Sequence, residues 1–336
     1  MAKDVTMQDI ARELGISTVS VSKALTDKDG VSSEMRATIK QKAQEMGYRY
    51  SVTKSGKEGR NYNIGILVEE HFIGDQTSAF YFKMYQSIIM KLPKNNYSGI
   101  LEILTTDKIR SGVLPKIISD KKVDGIIALG KIESRYLRKL RETGIPIVYL
   151  DYYDKHMEVP SVTTDNVYGT YMLMNHVVRM GHKKIAFVGD IDATPSILDR
   201  YLGYMRGLIV NELSAPKDYL ICDRDEEGNY LDMDLPADMP TAFICNCDHV
   251  ALFLIEKLKK MGYRVPEDVS VVGFDNSPFA EFSDPKLTTV EVDVDSMTET
   301  ACDLLISMIR GEKDIHGRKV ISGKLIIRDS VKKLAQ

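Results

Sequence analysis

Residues 62–336 alternate between short apolar runs and amphipathic stretches long enough for a helix. The apolar runs are NIGILV, GILEIL, DGIIAL, IPIVYL, KIAFVGD, TAFICN and VSVVGF. Helix-length stretches, for example Thr170 to Met180 and His249 to Met261, separate most of them. Buried strands joined by helical crossovers predict parallel sheets covered on both faces. With this many strands we expect two doubly wound subdomains, and a ligand in the cleft at the carboxyl ends of the strands.

Composition and charge narrow the class of protein. The 336 residues, 43% of them hydrophobic, suffice for sizeable cores in two or three domains. Residues 1–60 contain 11 basic and 8 acidic side chains, which gives this segment a charge of +3. Because the whole chain has a net charge of −3, residues 61–336 carry a charge of −6. A basic amino-terminal segment on an acidic body is a mild indication of a nucleic-acid partner.

Nothing in the sequence indicates export or a membrane. The start, MAKDVTMQDIAREL, is charged and lacks the apolar core of a secretion signal, and no stretch approaches the ~18–20 apolar residues of a membrane helix. The four cysteines, Cys222, Cys245, Cys247 and Cys302, do not have the spacing of a disulfide framework. We therefore expect a soluble, cytoplasmic protein with reduced thiols, no membrane contact and no cofactor.

The first 50 residues predict three short helices. Thr6 begins TMQD, a capping box that opens the first helix, and Gly15 ends that helix. Ser17 caps a second helix, and a third begins near Ser32 and ends at Gly47. The pattern IARELGISTVSVSKAL is typical of a helix-turn-helix unit, whose second helix enters the major groove of DNA.

A small helical bundle that docks another protein is the alternative interpretation of this segment. The exposed side of the second helix argues against it, because short hydroxyl groups and a cation suit phosphate oxygens and groove edges better than an apolar interface. That side carries Ser17, Thr18, Ser20, Ser22 and Lys23.

The stretch VTMQDIARELGISTVSVSKALTDKDGVSSEMRATIKQKAQEMGY closely resembles the DNA-binding head of the lactose-repressor (LacI/GalR) family. The resemblance implies that Thr18, Val19 and Lys23 occupy base-reading positions. Val19 has no hydrogen-bonding group and would read apolar features such as a thymine methyl. The positions that match contacts to the DNA backbone are Thr6, Ser17, Ser20, Ser22, Thr26 and Tyr48.

The body resembles the same family over almost its whole length. PSVTTDNVYGTYMLMNHVVRMGHKKIAFVGD and GYRVPEDVSVVGFDNSPFAEFSDPKLTTVEVD carry the resemblance. It implies a periplasmic-binding-protein-like fold with two discontinuous subdomains and three crossovers near residues 158, 290 and 320. The expected division is a head at 1–50, a linker at 51–61, an N-terminal subdomain at 62–158 and 291–319, and a C-terminal subdomain at 159–290 and 320–336.

Polar residues at strand ends are the candidate ligand contacts. Asp151 ends IPIVYLD, Asp248 follows TAFICNC, Asp275 ends VSVVGFD, and Arg200 lies in the helix after KIAFVGD. Carboxylates beside a fork-shaped donor suit a polyhydroxylated ligand such as a sugar. The alternative is that each carboxylate only caps the helix or turn that follows it.

Two aromatic residues near the start of the first body helix, Tyr81 and Phe82, are placed to stack on the apolar face of such a ligand. By resemblance, the residues at effector positions of the family are Tyr81, Phe82, Arg200, Asp248 and Asp275, together with Ser196 and Asp151.

The linker departs from the family pattern. Relatives carry a short hinge helix with a leucine that inserts into the minor groove, whereas SVTKSGKEGRN places Lys57 near that position, with Gly56 and Gly59 beside it. Each glycine destabilises a helix by about 1 kcal/mol, and no apolar wedge remains. We therefore hypothesise weaker DNA bending, with phosphate contacts from Lys54, Lys57 and Arg60.

Two further segments allow a metal interpretation. Asp223, Asp225, Glu227, Gly228 and Asp234 have nearly the spacing of a calcium loop, but a solvated acidic loop explains them better, because helices do not flank them and the last position is not glutamate. CNCDH offers Cys245, Cys247 and His249, but no fourth ligand is evident, and small buried thiols are the better explanation.

Three classes of function remain. A solute-binding protein of a transporter would carry an export signal and no basic head, and a sugar- or nucleotide-acting enzyme would carry a catalytic motif that we do not find. A glycosidase with two carboxylates across the cleft is the enzymatic alternative. The sequence predicts a non-enzymatic transcriptional repressor, a homodimer that binds pseudo-palindromic operator DNA under control of a small effector, a sugar first and a purine second.

Overall fold

The computed structural model describes residues 5–25, 29–46, 61–74, 78–154, 156, 158–225, 228–312 and 316–334. The chain divides into two compact units, Met1–Gly59 and Arg60–Gln336. The predicted DNA contacts Thr26 and Tyr48, and residues 51–60 of the predicted linker, lie outside the described residues. Among the described residues, no helix combines the length and the apolar composition needed to cross a membrane.

The first unit, called the head, contains three helices, α1 (Met7–Leu14), α2 (Thr18–Leu25) and α3 (Ser33–Glu45). The capping box at Thr6 is confirmed, since its side chain accepts from the Asp9 N–H while the Asp9 carboxylate accepts from the Thr6 N–H. Gly15 ends α1 with φ 64°, a left-handed conformation that glycine adopts without strain.

The head has an apolar core of its own, to which all three helices contribute. Its fully buried members are Ile10, Ala11, Val21, Ala24, Ile39 and Ala43. The pairs α1–α2 and α2–α3 pack closely, so the predicted helix-turn-helix arrangement is confirmed.

The second unit, called the body, contains strands and helices that alternate as predicted. The strands are β1 (Asn63–Glu69), β2 (Ser98–Leu104), β3 (Gly125–Leu129), β4 (Ile147–Leu150), β5 (Ser161–Thr164), β6 (Ile185–Val188), β7 (Leu220–Ile221), β8 (Ala242–Cys245), β9 (Ser270–Val272), β10 (Thr289–Glu291), β11 (Arg318–Ile321) and β12 (Lys324–Ile326). The helices are α4 (His71–Gly74), α5 (Ser78–Lys91), α6 (Thr106–Ser111), α7 (Lys116–Ser119), α8 (Ser134–Glu142), α9 (Asn166–Arg179), α10 (Pro195–Val210), α11 (Asp248–Lys260), α12 (Pro278–Phe282) and α13 (Val294–Arg310), with 3-10 helices at Leu92–Asn95 and Lys217–Tyr219.

Two parallel sheets define two lobes. The first sheet has the order β11-β5-β4-β3-β1-β2, and the second has the order β7-β6-β8-β9. We call residues 61–164 and 294–321 the first lobe, and residues 166–288 and 327–334 the second lobe. The antiparallel pair β10–β12 lies where the chain crosses between them.

Alternate residues of a strand pack into different cores, which explains the continuous apolar runs. In β1, Ile66 belongs to one apolar cluster and Leu67 to another. In β6, Phe187 and Val188 are divided in the same way. Both sheets are therefore covered on both faces, and the predicted doubly wound, periplasmic-binding-protein-like architecture is confirmed.

Two expected boundaries shift by a few residues. Ser161–Thr164 pairs with β4 and with β11, so it belongs to the first lobe, whereas a crossover near residue 158 placed it in the second. Asn61, assigned to the linker, is bound to the body, because its backbone N–H donates to the Asp124 carboxylate at 2.9 Å. Contacts between distant segments decided both cases, strand pairing in the first and a hydrogen bond to a side chain in the second, and no local sequence pattern predicts them.

Candidate effector site and DNA-reading helix

The exposed side of α2 carries the predicted DNA contacts. Ser17 and Thr18 are exposed, and Val19 is 64% exposed, which is unusual for a valine without a partner surface. Ser17 also caps the helix, since its hydroxyl accepts from the Ser20 N–H at 3.1 Å. Ser20, Ser22 and Lys23 are half-buried and complete the same helix.

Lys23 lies against Gly30. A Cβ added at Gly30, whose φ is +100°, would come within 3.0 Å of the Lys23 Nζ. Glycine therefore leaves the space that the lysine side chain occupies. Thr6 donates its hydroxyl to the Asp9 carboxylate at 2.6 Å, so any DNA contact by Thr6 would add to its capping role.

In the body, Arg200 is the centre of the candidate effector site. It lies on α10 and is only 6% exposed. Its Nε donates to the Asn166 Oδ1 at 2.8 Å, another guanidinium nitrogen donates to the Asn246 carbonyl oxygen, and Nη2 donates to the Asp275 carboxylate at 2.9 Å. The guanidinium also lies 3.9 Å from the centre of the Phe274 ring. A buried cation with this many partners is fixed in orientation.

Asp275 reaches this position because the chain turns sharply after β9. Its backbone has φ 101°, and its N–H donates to the Val290 carbonyl oxygen at 2.8 Å. Burial raises the pKa of Asp275, and the Arg200 guanidinium opposes that rise. The side chain is 14% exposed, so it remains accessible to a ligand.

Asp151 approaches from the first lobe. It follows β4, and among the described residues its one hydrogen bond from a side chain comes from the Tyr81 hydroxyl at 3.1 Å. Burial raises the pKa of Asp151 to about 7, with the Arg200 charge opposing the rise and the Asp275 charge adding to it. With so few hydrogen-bond donors beside it, the buried carboxylate does not regain the free energy of hydration that it loses on leaving water.

Tyr81 is held by packing as well as by Asp151. Its ring lies 4.6 Å from the Phe72 ring, centre to centre. Gly130, just after β3, has φ +75°, and a Cβ there would lie 3.1 Å from the Tyr81 ring. Burial holds the pKa of the Tyr81 hydroxyl well above its usual value, so the group remains a donor.

Asp248, a predicted effector contact, is hydrogen-bonded within the body, and its contact to a ligand stays a prediction. It is fully buried, one carboxylate oxygen accepts from the Thr289 hydroxyl at 2.6 Å, and the other accepts from the Ser277 N–H at 2.7 Å. Burial raises its pKa to about 8. The capping alternative describes this residue better, because both oxygens are bound within the protein.

A cavity of about 280 Å³ opens between the lobes beside Asp275. It is lined by Ala79, Phe80, Lys83, Asp275, Asn276, Ser277, Pro278 and Glu281. Phe82 is not among these residues and is 55% exposed, so the aromatic residue at the cavity is Phe80. Ser196 bonds the neighbouring Thr194 hydroxyl at 2.9 Å, near the start of α10.

Two site residues were missed. Asn166 positions Arg200 through its side chain, and Asn246 does so through its carbonyl oxygen. Asn166, two residues after β5, and Asn246, directly after β8, are both almost fully buried. Both follow strands as the predicted carboxylates do, so the strand-end position is the sequence signal that points to them.

The acidic segment with nearly the spacing of a calcium loop has its carboxylates hydrogen-bonded to other groups of the protein. The Asp223 carboxylate accepts from Arg224 at 2.7 Å and from the Asn246 side-chain amide at 2.8 Å, while Asp225 accepts from the Asn229 N–H at 2.8 Å. Glu227 lies outside the described residues. Within the described ranges, no group of three His, Cys, Asp or Glu side chains is placed to hold a metal ion.

Burial acts against ionisation of the two nearby thiols. It raises the pKa of Cys247 to about 12 and holds the pKa of Cys245 well above its usual value, which disfavours the thiolate that a metal would need.

Comparisons with known proteins find separate matches for the head and for part of the body. Residues 6–51 match the family model for bacterial regulatory proteins of the lacI family, and residues 174–331 match that for a periplasmic binding protein-like domain. The chain is 27% identical over 335 residues to the HTH-type transcriptional repressor CytR of Escherichia coli (strain K12), with 98% of this chain and 97% of CytR covered.

Solved structures also have this fold. A complex of the transcriptional regulator CelR with cellobiose has a TM-score of 0.70 and 23% identity, over 97% of this chain and 99% of that one. A LacI family transcriptional regulator from Enterococcus faecium with bound ribose has a TM-score of 0.65 and 26% identity, over 81% of this chain and all of that one.

Proposed function

Because the chain belongs to the LacI family of bacterial regulatory proteins, as a DNA-binding transcriptional regulator controlled by a small molecule, we propose that its effector is a sugar bound between the two lobes. The observation that carries the proposal is the convergence of Asp151 from the first lobe and Asp275 from the second on the environment of Arg200. A ligand that bonds to both carboxylates ties the lobes together.

The available groups suit the hydroxyls of a sugar. Asp151 accepts one side-chain hydrogen bond within the protein and has acceptor capacity left for ligand hydroxyls. Arg200 has five N–H groups, and the structure gives three bonds from them to protein atoms, which leaves donors for ring or hydroxyl oxygens. Phe80, which lines the cavity, provides a ring face for the apolar side of a sugar. The similar regulator from Enterococcus faecium contains bound ribose, which supports the same class of ligand here.

A ligand screen tests this proposal. Thermal denaturation of the full-length protein would be followed with pentoses, hexoses, disaccharides and purines. We expect at least one sugar to raise Tm, because a ligand that binds only the native state stabilises it. The same sugar should not stabilise Asp275→Asn. Stabilisation by a purine and by no sugar would refute the sugar assignment.

The head is proposed to read operator DNA through Thr18, Val19 and Lys23, with backbone contacts from the flanking hydroxyl residues. Lys23→Ala should weaken operator binding about tenfold or more and alter base preference, since a specific base contact contributes roughly 1–3 kcal/mol. Lys42→Ala is the matched control, because it removes the same charge from α3, where Lys42 pairs with Glu13 at 3.5 Å. Equal footprints for the two variants would remove Lys23 from the reading surface.

We further propose a cytoplasmic homodimeric repressor without enzymatic activity. Exposed apolar side chains on α5 and α12 support a dimer, because Met90 is 77% and Phe282 81% exposed. A two-fold dimer would present two heads to half-sites about one helical turn apart. A turnover assay on chromogenic glycosides separates this proposal from the glycosidase alternative, and we expect no product.

A further inference from the structure

Three residues outside the effector site connect the two lobes. The Tyr153 hydroxyl, in the first lobe, donates to one oxygen of the Asp199 carboxylate in the second lobe at 3.1 Å. Arg318, at the start of β11 in the first lobe, lies 3.5 Å from the other oxygen. The Arg318 guanidinium also lies 4.4 Å from the centre of the Tyr153 ring. Each member of this group, called the clasp, contacts the other two.

The clasp lies next to the effector groups along the chain. Tyr153 is two residues after Asp151, and Asp199 immediately precedes Arg200 on α10. Arg318 begins the strand that leads into the crossover segment β12. A movement of the lobes that separates Tyr153 from Asp199 therefore also moves Asp151 away from Arg200.

The chemistry of Asp199 makes the contact more than incidental. Its side chain is only 13% exposed, and burial raises its pKa, whereas the Tyr153 hydrogen bond and the Arg318 charge lower it. Separating the lobes would remove both donors and return the carboxylate to water. By contrast, Lys131, which donates to the Ala193 carbonyl oxygen across the lobes at 2.6 Å, is an exposed side chain.

We propose that Tyr153, Asp199 and Arg318 are positioning residues that hold the lobes together before the effector arrives and so place Asp151 and Arg200 for its capture. The consequence for the effector rests on the proposed function. When only a fraction of the protein molecules has the conformation that binds a ligand, the apparent affinity for that ligand is reduced by that fraction. Loosening the clasp therefore weakens effector binding although every contact residue is intact.

The test measures the distance between the lobes without effector. Spin labels would be attached to Val113→Cys in the first lobe and Ile209→Cys in the second, two exposed positions, in a Cys222→Ser background that removes the exposed native thiol. Dilution with unlabelled chain suppresses distances between subunits. We expect one narrow distance in the parent protein and a second, longer distance in both Tyr153→Phe and Asp199→Asn.

Tyr219→Phe is the matched control. The Tyr219 hydroxyl donates to the Asp238 carbonyl oxygen at 3.0 Å, so both groups lie within the second lobe and neither is a labelled position. This variant should lose stability without a second distance, whereas Tyr153→Phe should show the second distance while circular dichroism remains that of a folded protein. Unchanged distance distributions in both Tyr153→Phe and Asp199→Asn would overturn the clasp.

Effector affinity provides a second readout. Tyr153→Phe should weaken binding of the stabilising sugar roughly threefold to tenfold, since a hydrogen bond to a charged group is stronger than a neutral one. The two proposals fail separately. If no sugar binds but the distances change, the clasp stands without a sugar effector; if a sugar binds and the distances do not change, the clasp is refuted.

Discussion

The second lobe fixes its part of the proposed effector site much more firmly than the first lobe does. Arg200 has three hydrogen-bond partners and a ring beneath its guanidinium, and two of those partners, Asn166 and Asn246, are themselves buried. Asp151, its counterpart in the first lobe, receives one side-chain hydrogen bond, from Tyr81. The second lobe therefore presents a formed binding surface, and the first lobe presents a group whose electrostatic compensation is incomplete.

This difference assigns different roles to the two halves. A prearranged guanidinium provides affinity and orientation without reorganisation. A poorly compensated carboxyl group gains most when a ligand supplies the missing donors, so its energy depends strongly on whether the ligand is present. Closure of the lobes on a ligand would thus be driven from the first lobe against the fixed second lobe.

Arg200→Ala should have the largest effect. It leaves Asp275 buried without its cation, and breaking a buried pair destabilises a protein by about 3–5 kcal/mol. We expect effector binding to become undetectable by calorimetry while operator binding at low temperature persists. Arg206→Ala, on the exposed face of the same helix, is the control and should retain full effector affinity. Normal effector binding by Arg200→Ala would show that the second lobe is not the fixed half.

Asp151→Asn should have the next largest effect. The amide keeps the shape and can still accept from Tyr81, but it cannot offer a charged acceptor to ligand hydroxyls. We expect effector affinity to fall between about tenfold and one-hundredfold, the range for hydrogen bonds to charged groups, with little loss of stability. Isothermal titration would measure it. Affinity equal to that of the parent would place the ligand on the second lobe alone.

A smaller effect is expected on the pH dependence of the free energy of unfolding, to which Asp151 of the first lobe contributes. The folded-state pKa of Asp151, about 7, lies above its unfolded value, so its contribution is fully present below about pH 4 and is lost as pH rises through 7. The ligand-free protein should therefore lose roughly 1–3 kcal/mol between pH 5 and 8 relative to Asp151→Asn. Denaturant unfolding of both proteins at several pH values measures this difference, and parallel curves would contradict it.

The smallest effect concerns the aromatic residues of the first lobe. Phe80 lines the cavity and Phe82 does not, so Phe80→Ala should weaken effector binding severalfold and Phe82→Ala should leave it nearly unchanged. Both variants remove the same ring from positions two residues apart on α5, which makes each the control for the other. The reverse order of effects would restore Phe82 to the site.

The sequence predicted the architecture and the elements that carry the site, because buried parallel strands, helix caps and strand-end carboxylates all leave local patterns. Asp151 and Asp275 were predicted as effector contacts from their positions after strands, and Arg200 from its place in the helix after β6; the structure brings the three close together. The sequence pattern did not distinguish Asp248 from these residues, because its hydrogen-bond partners, Thr289 and Ser277, come from segments further along the chain.

Phe80 and Phe82 differ for a similar reason. Helix positions two residues apart point about 200° apart around the axis, so only the packing of α5 decides which ring meets the cavity. The crossover after β5 instead of before it depends on backbone pairing with β11, a strand more than a hundred residues away. Local sequence patterns do not show which distant residues will be in contact, and such contacts decide these cases.

The most direct test of the account is the affinity of the full-length protein for its operator, measured by fluorescence anisotropy with and without the sugar that stabilises it. Coupling between two sites of a regulator is typically about 5–150-fold in affinity, and we predict a change in this range for the natural chain and none for Arg200→Ala. A sugar that binds the body with full affinity and leaves operator affinity unaltered would contradict the claim that this cleft controls the head.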